Sequence, residues 1–399
     1  MRTSTIKGKT GVSVLLFLLL LCLLMTPSFC QTETSGSDLS EGLLEEQLKN
    51  SEMKNIQKTI DKALSETELS QDYRFSSEEL LLSALKGMPM ENLKGLPKLL
   101  LAILGKEIKS NLALILELYC VMLLGTVIRA LQPLESGIPS EVAKLSVNGV
   151  LVIIAAVSFG GITQVVLSAI DSMQNIASLV MPALFALMAA SGRIVSVTAM
   201  QPIMLMGVNT ACHVFKTILL PLTIMAGVLF LVDSVSERFK LKTLAKLLKS
   251  CSVWLTGAIT LAFSVVVSIQ KLASSTVDQV AIKTTKFAIG TFIPVAGKYM
   301  SDAADTILMC ASAARNAAGI LTLIGLGLIF VVPFIKVFII MLALRLAAAF
   351  GSPLCDECIC DALEDAAGCL SVILGIMGAS LFVLVLLTGT FMNSGGFMT

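Results

Sequence analysis

From Leu99 onward the apolar positions come in long unbroken runs rather than in alternating stripes. Runs near Asn111–Ile128, Ser146–Ile170, Ile176–Ala190, Val195–Cys212, Thr217–Val232, Val253–Ile269, Gly319–Leu344 and Cys369–Phe391 are each a candidate membrane-crossing helix, since about 20 apolar residues cover the hydrocarbon core. Several are short or interrupted, so the pattern predicts seven or eight spans, some broken or re-entrant. A transmembrane barrel needs alternation over strands of about ten residues, and "ILTLIGLGLIFVV" does not alternate. The fold class is therefore all-α and polytopic.

Ahead of these runs the pattern changes twice. Residues 1–30 read as a signal peptide. Arg2, Lys7 and Lys9 precede the apolar core Val12–Met25, and the small residues Ser28 and Cys30 follow it. Residues 31–98 form an exported, acidic, partly helical segment. Leu44, Leu48, Ile56, Ile60 and Leu64 make a helical stripe there, which rests on a partner, the membrane or the rest of the chain. A partly disordered spacer is the other reading. Residues 99–399 are the polytopic membrane domain.

Charge gives the orientation. "SERFKLKTLAKLLKS" (Ser236–Ser250) carries five basic residues and one acidic one, and such a short basic loop marks the cytoplasmic side. On a helix its leucines and lysines separate onto two faces, which suits either the anionic inner leaflet or a segment that only sets topology. With residues 31–98 outside, an odd number of spans must precede Ser236, and the five candidates satisfy this.

Composition confirms the membrane class: 55% of residues are apolar and 14% charged, with a mean hydropathy of +0.87. Against that background the embedded charges stand out. Lys286, Lys298, Asp302 and Asp305 share one greasy stretch with Pro294. An ionised group at mid-bilayer costs about 2.5–3.5 kcal/mol, while each Leu or Ile returns about 0.3–0.6 kcal/mol. Thr285–Ile307 therefore lies at the interface, in protein or against water. Beyond Pro294 a helix places Lys298, Asp302 and Asp305 on one face, where Lys298 and Asp302 can pair, and Gly290 and Gly297 permit the bend. This is either a polar lining or subunit contact, or a solvated amphipathic loop.

"VMPALFALMAASGRIVSVTAMQP" echoes that arrangement with Pro182, a small-residue break, Arg193 and Pro202. Paired broken segments point towards transporter-like repeats. Glu117, Arg129, His213 with Lys216, and Lys336 are further embedded polar groups. Glu117 lies deepest in its span.

The remaining chemistry is mostly exclusion. A net charge of +1 gives no basis for nucleic-acid binding. No phosphate-binding GxxxxGK[ST] loop occurs, so ATP-driven work needs a partner. One histidine rules out a two-histidine metal site. "CDECIC" supplies Cys355, Cys358 and Cys360, with Cys369 beyond, but the second pair lacks zinc-site spacing. Asp302 and Asp305 share one segment and make a poor protease dyad. The expectation is no cofactor and no enzymatic activity.

"TTKFAIGTFIPVAGKYMSDAADTI", "NAAGI" and "VVPFIKV", with "LMAASG" and "SERFKLKTLAKLL", resemble the stage III sporulation protein AE family of endospore-forming bacteria. The resemblance covers nearly the whole chain and is sharpest over residues 283–336. It implies a multi-pass subunit in the mother-cell membrane around the forespore, within the bilayer. It implies as partners the other stage III sporulation A proteins, a separate ATPase among them, and stage II sporulation protein Q across the intermembrane space. Together these form a channel or secretion-like complex that supports late forespore development. It implies no catalytic residue. The alternative is a stand-alone secondary transporter for a small solute or ion.

Overall fold

The computed structural model describes residues 51–65, 96–131, 138–234, 241–292, 297–352 and 357–392. The signal segment, most of residues 31–98, Pro294 and Cys355 lie outside the described residues, as does the side chain of Lys298. Among the described residues there are helices and no strands. They are α1 (Ser51–Ser65), α2 (Leu96–Leu131), α3 (Ile138–Ala190), α4 (Ile194–Val214), a π-turn (Phe215–Leu219), α5 (Leu220–Asp233), α6 (Lys242–Phe292), α7 (Gly297–Gly351) and α8 (Glu357–Met392).

Six helical stretches among the described residues are long and apolar enough to cross a membrane: Leu101–Val127, Ser146–Ala190, Ile194–Asp233, Lys242–Thr291, Tyr299–Gly351 and Cys358–Met392. The expected seven or eight are regrouped rather than lost. Ser146–Ile170 and Ile176–Ala190 are one helix, because the polar link Asp171–Asn175 holds neither Gly nor Pro and stays helical. Val195–Cys212 and Thr217–Val232 are likewise joined, through the π-turn. α3 and α4 continue through Pro182 and Pro202, and the small-residue break expected at "AASGR" is the turn Ser191–Arg193 between them. A proline removes one backbone bond, and packed neighbours hold such a helix together.

Lys242–Ser250 is not a separate surface helix but the first turns of α6. Asp233 ends α5 and accepts from the backbone N–H groups of Leu241 and Lys242 at 2.6 and 3.0 Å, capping α6. Lys242 in turn reaches Asp361 at 3.1 Å and Asp365 at 3.7 Å on α8. The acidic residues after "CDECIC" thus tie down this end of the bundle.

The core is α7 against α8. About two thirds of each apolar window is buried there, 61% and 67%, against 11% for α6. Phe185 of α3 meets Phe391 of α8 edge-on at 5.0 Å between centroids. On α1 the stripe residues Ile56 and Ile60 are buried, and Ile60 packs over Gly325 of α7. Of the three supports expected for that stripe, these two residues use the rest of the chain.

Candidate functional site

Two polar clusters stand out of this apolar bundle. The first lies where the turn between α3 and α4 wedges between α6 and α7. "AASGR" ends α3 as a Schellman motif: Arg193 N–H donates to Met188 O at 3.3 Å and Gly192 N–H to Ala189 O at 3.0 Å. Gly192 has φ +81°, a left-handed conformation that glycine adopts freely. A Cβ there would meet Leu308 Cδ2 at 3.0 Å and Ile282 Cδ1 at 3.5 Å, so the turn fills the space between α6 and α7.

The chain then restarts as α4, whose first N–H groups have no partner in their own helix. Asp278 of α6 supplies it. Its Oδ1 accepts from Val195 N–H at 3.1 Å, and its Oδ2 accepts from Ser196 N–H at 3.1 Å. Asp278 is 1% exposed. Arg193 (7% exposed) faces it, and burial pulls the Arg193 guanidinium below its ordinary range while Asp278 pulls it back up. Arg315 of α7 is fully buried and donates from Nη1 to Ser191 Oγ at 2.9 Å.

Further along the α6–α7 hairpin, Lys286 pairs with Asp305. Asp305 of the expected face thus bonds across the hairpin, and Asp302 is exposed. Gly297 closes the hairpin. A Cβ there would meet Ile289 O at 2.6 Å and Gly290 Cα at 3.1 Å, both backbone. The two glycines expected to shape this bend do meet, with Gly297 the one that has no room for a side chain.

The second cluster joins α3 and α4 to the π-turn. Lys216, in the π-turn, donates to Asp171 and to Gln174 Oε1 at 2.8 Å, and Gln174 Nε2 donates to Asn209 Oδ1 at 2.9 Å. Single π-turns recur at functional sites. Its height follows from two anchors. α4 starts beside Asp278 and α5 ends at Asp233 beside Leu241. The two therefore run antiparallel to α6, and Lys216, midway, lies level with the apolar stretch 253–269 of α6. Asp171 is nevertheless 53% exposed. Glu117 is also exposed, on α2. Lys336 of α7 reaches Glu107 at 3.7 Å.

Of the sequence-predicted residues, Arg193 belongs to the turn cluster, and Lys286 and Asp305 to the hairpin beside it. Glu117 belongs to neither, and Pro182 is exposed within α3. Sequence reasoning missed Asp278 and Arg315. The signal for Arg315 was a lone cation among small residues in "CASAARNAAG". Asp278 had none, because it sits among other polar residues in "SSTVDQV".

A sequence profile of the family described as stage III sporulation protein AE matches residues 75–395. Stage III sporulation protein AE of Bacillus subtilis (strain 168) is 31% identical over 258 residues, 64% of this chain. The match spans 65% of that relative's length. No solved structure matches the chain.

Proposed function

The chain belongs to the stage III sporulation protein AE family, and from that premise we propose that it is a multi-pass membrane subunit of a sporulation channel or secretion-like complex joining mother cell and forespore. Family membership and the long apolar helices support a sporulation role at a membrane. The observation that carries the finer reading is the placing of charge on outer faces. Asp171 is exposed level with the apolar stretch of α6, and Glu117 is exposed within an apolar window of α2. Lys54, Lys58 and Asp61 are exposed on α1, which packs over Gly325 in the apolar part of α7. Charges at such a depth are not left facing acyl chains. Other subunits covering these faces is the arrangement that removes the cost.

In this reading the mother-cell membrane around the forespore holds the chain, with Lys242–Ser250 on the cytoplasmic side. The α6–α7 hairpin end then lies on the extracytoplasmic side, to which residues 31–98 are exported and from which α1 packs back against α7 at Gly325. Three helical stretches before Ser236 (α2, α3 and α4–α5) keep the odd count that this orientation needs. The partners are the other stage III sporulation A proteins, with their ATPase, and stage II sporulation protein Q. The chain has no catalytic task of its own.

The test is affinity purification of the full chain from sporulating cells of its source after membrane-permeable crosslinking. The subunit reading predicts recovery of the other stage III sporulation A proteins, and loss of that recovery in Asp171→Leu or Glu117→Leu. Solute flux in vesicles holding this protein alone, with no partners recovered, overturns it in favour of the transporter. The small-residue break that suggested the transporter is present at Ser191–Arg193, and its counterpart at Pro294 lies outside the described residues, so the flux measurement is what separates the two readings.

A further inference from the structure

The turn cluster has more positive charge than its surroundings answer. Arg315 donates to Ser191 at 2.9 Å, in the same turn as Arg193, so the two buried cations oppose each other. Three of their donors, Arg193 Nη1 and Arg315 Nε and Nη2, are buried with no hydrogen-bond partner. Asp278 is the carboxylate facing Arg193, and both its oxygens already serve the backbone of Val195 and Ser196. The start of α4 adds the partial positive charge of a helix N-terminus. Asp305, the next carboxylate along α7, is taken by Lys286.

An arginine cannot shed its proton to escape this. An uncompensated buried ion costs several kcal/mol, and unmade bonds to charged donors add to that. Ser191 satisfies one N–H of Arg315. The rest require an acceptor that carries negative charge. Ser191, Ser196, Asp278 and both arginines are buried, so the acceptor is small and enters without a chain attached.

We propose that the turn between α3 and α4 binds a small inorganic anion, held by the unpaired guanidinium N–H groups of Arg193 and Arg315 at the start of α4. Chloride and phosphate share the required chemistry, an acceptor for several converging N–H donors. The anion cements the joint between the α3–α4 turn and the α6–α7 hairpin. This does not depend on which partners the chain has.

The experiment is thermal unfolding of the full-length protein in detergent, with sodium gluconate replaced stepwise by sodium chloride or sodium phosphate at constant ionic strength. The expected result is a saturable rise of Tm with one of the two anions, which identifies a halide or an oxyanion site. Arg315→Gln and Arg193→Gln each abolish the rise. Asp278→Asn, which removes the competing carboxylate, lowers the half-saturating anion concentration several-fold. A wild-type Tm that is the same in all three salts overturns the proposal, as does an equal rise in wild type and both arginine variants. If neither variant folds, chloride and phosphate nuclear magnetic relaxation on the wild-type protein decides. Broadening of either anion's signal that a competing anion removes supports the site, and no broadening of either signal at millimolar anion overturns it.

Discussion

One buried carboxylate, Asp278, both caps α4 and faces Arg193. The two tasks separate by substitution. Asp278→Ala loses the cap, at about 0.5–2 kcal/mol, and leaves two buried arginines with less opposing charge. Asp278→Asn keeps one capping oxygen and loses the charge and the second acceptor. Thermal unfolding in gluconate is expected to rank wild type above Asn above Ala, and equal stability of all three would refute the capping role. The Lys286–Asp305 pair is different, being partly exposed. A double-mutant cycle there is expected to give a coupling below about 1 kcal/mol, so the pair sets position more than stability. Asp302→Leu removes a charge from an exposed position and leaves the chain's own packing alone. A sporulation defect with normal protein level is expected if that face meets a partner, and unchanged sporulation takes Asp302 out of the contact. Arg193, Lys286 and Asp305 were legible in the sequence because charge is costly in apolar surroundings. Which groups they face was not, because spacing along one helix reveals neighbours three and four residues away and nothing about the helix alongside.

At the scale of elements, two glycines hold the joint. Gly297→Ala sets a methyl against the carbonyl of Ile289 at 2.6 Å. Backbone cannot swing aside as a side chain can, so the α6–α7 hairpin must spread, and loss of the monodisperse folded protein is expected. Gly192→Ala is milder: the left-handed turn costs about 1–2 kcal/mol, and Leu308 must shift slightly. A lower Tm with the fold retained is expected, and a Gly192→Ala variant as stable as wild type would contradict the Schellman turn. Hydropathy found all the apolar material that forms these helices but misjudged where it is cut. Polar clusters look like ends when read along a sequence. In the bundle, Asp171–Asn175 remains helical and Pro182, Pro202 and Pro333 sit inside helices. The real cut, at Ser191–Arg193, was visible as "AASGR", because a glycine suits a left-handed helix end.

At the scale of the whole molecule, helix length is the governing quantity. α6 has 51 residues and α7 has 55. At 1.5 Å per residue they span roughly 75–85 Å, while the hydrocarbon core takes about 30 Å. More than half of each helix must therefore lie beyond it. Along α6 the division is written in residue type. Lys242, Lys246 and Lys249 come first, then the apolar stretch 253–269, then Gln270, Lys271, Asp278, Lys283 and Lys286. The hairpin end with Arg193, Asp278, Lys286, Asp305 and Arg315 then falls outside the hydrocarbon, and the Asp171–Lys216 pair falls within it. Single-cysteine labelling in a cysteine-free background, using right-side-out vesicles and a membrane-impermeant maleimide, tests this division directly. Lys283→Cys and Asp302→Cys are expected to react at once, Lys246→Cys only after permeabilisation, and Leu261→Cys and Val265→Cys in neither condition. Protection of Lys283→Cys and Asp302→Cys equal to that of Leu261→Cys would contradict it, placing the charged hairpin in the acyl chains.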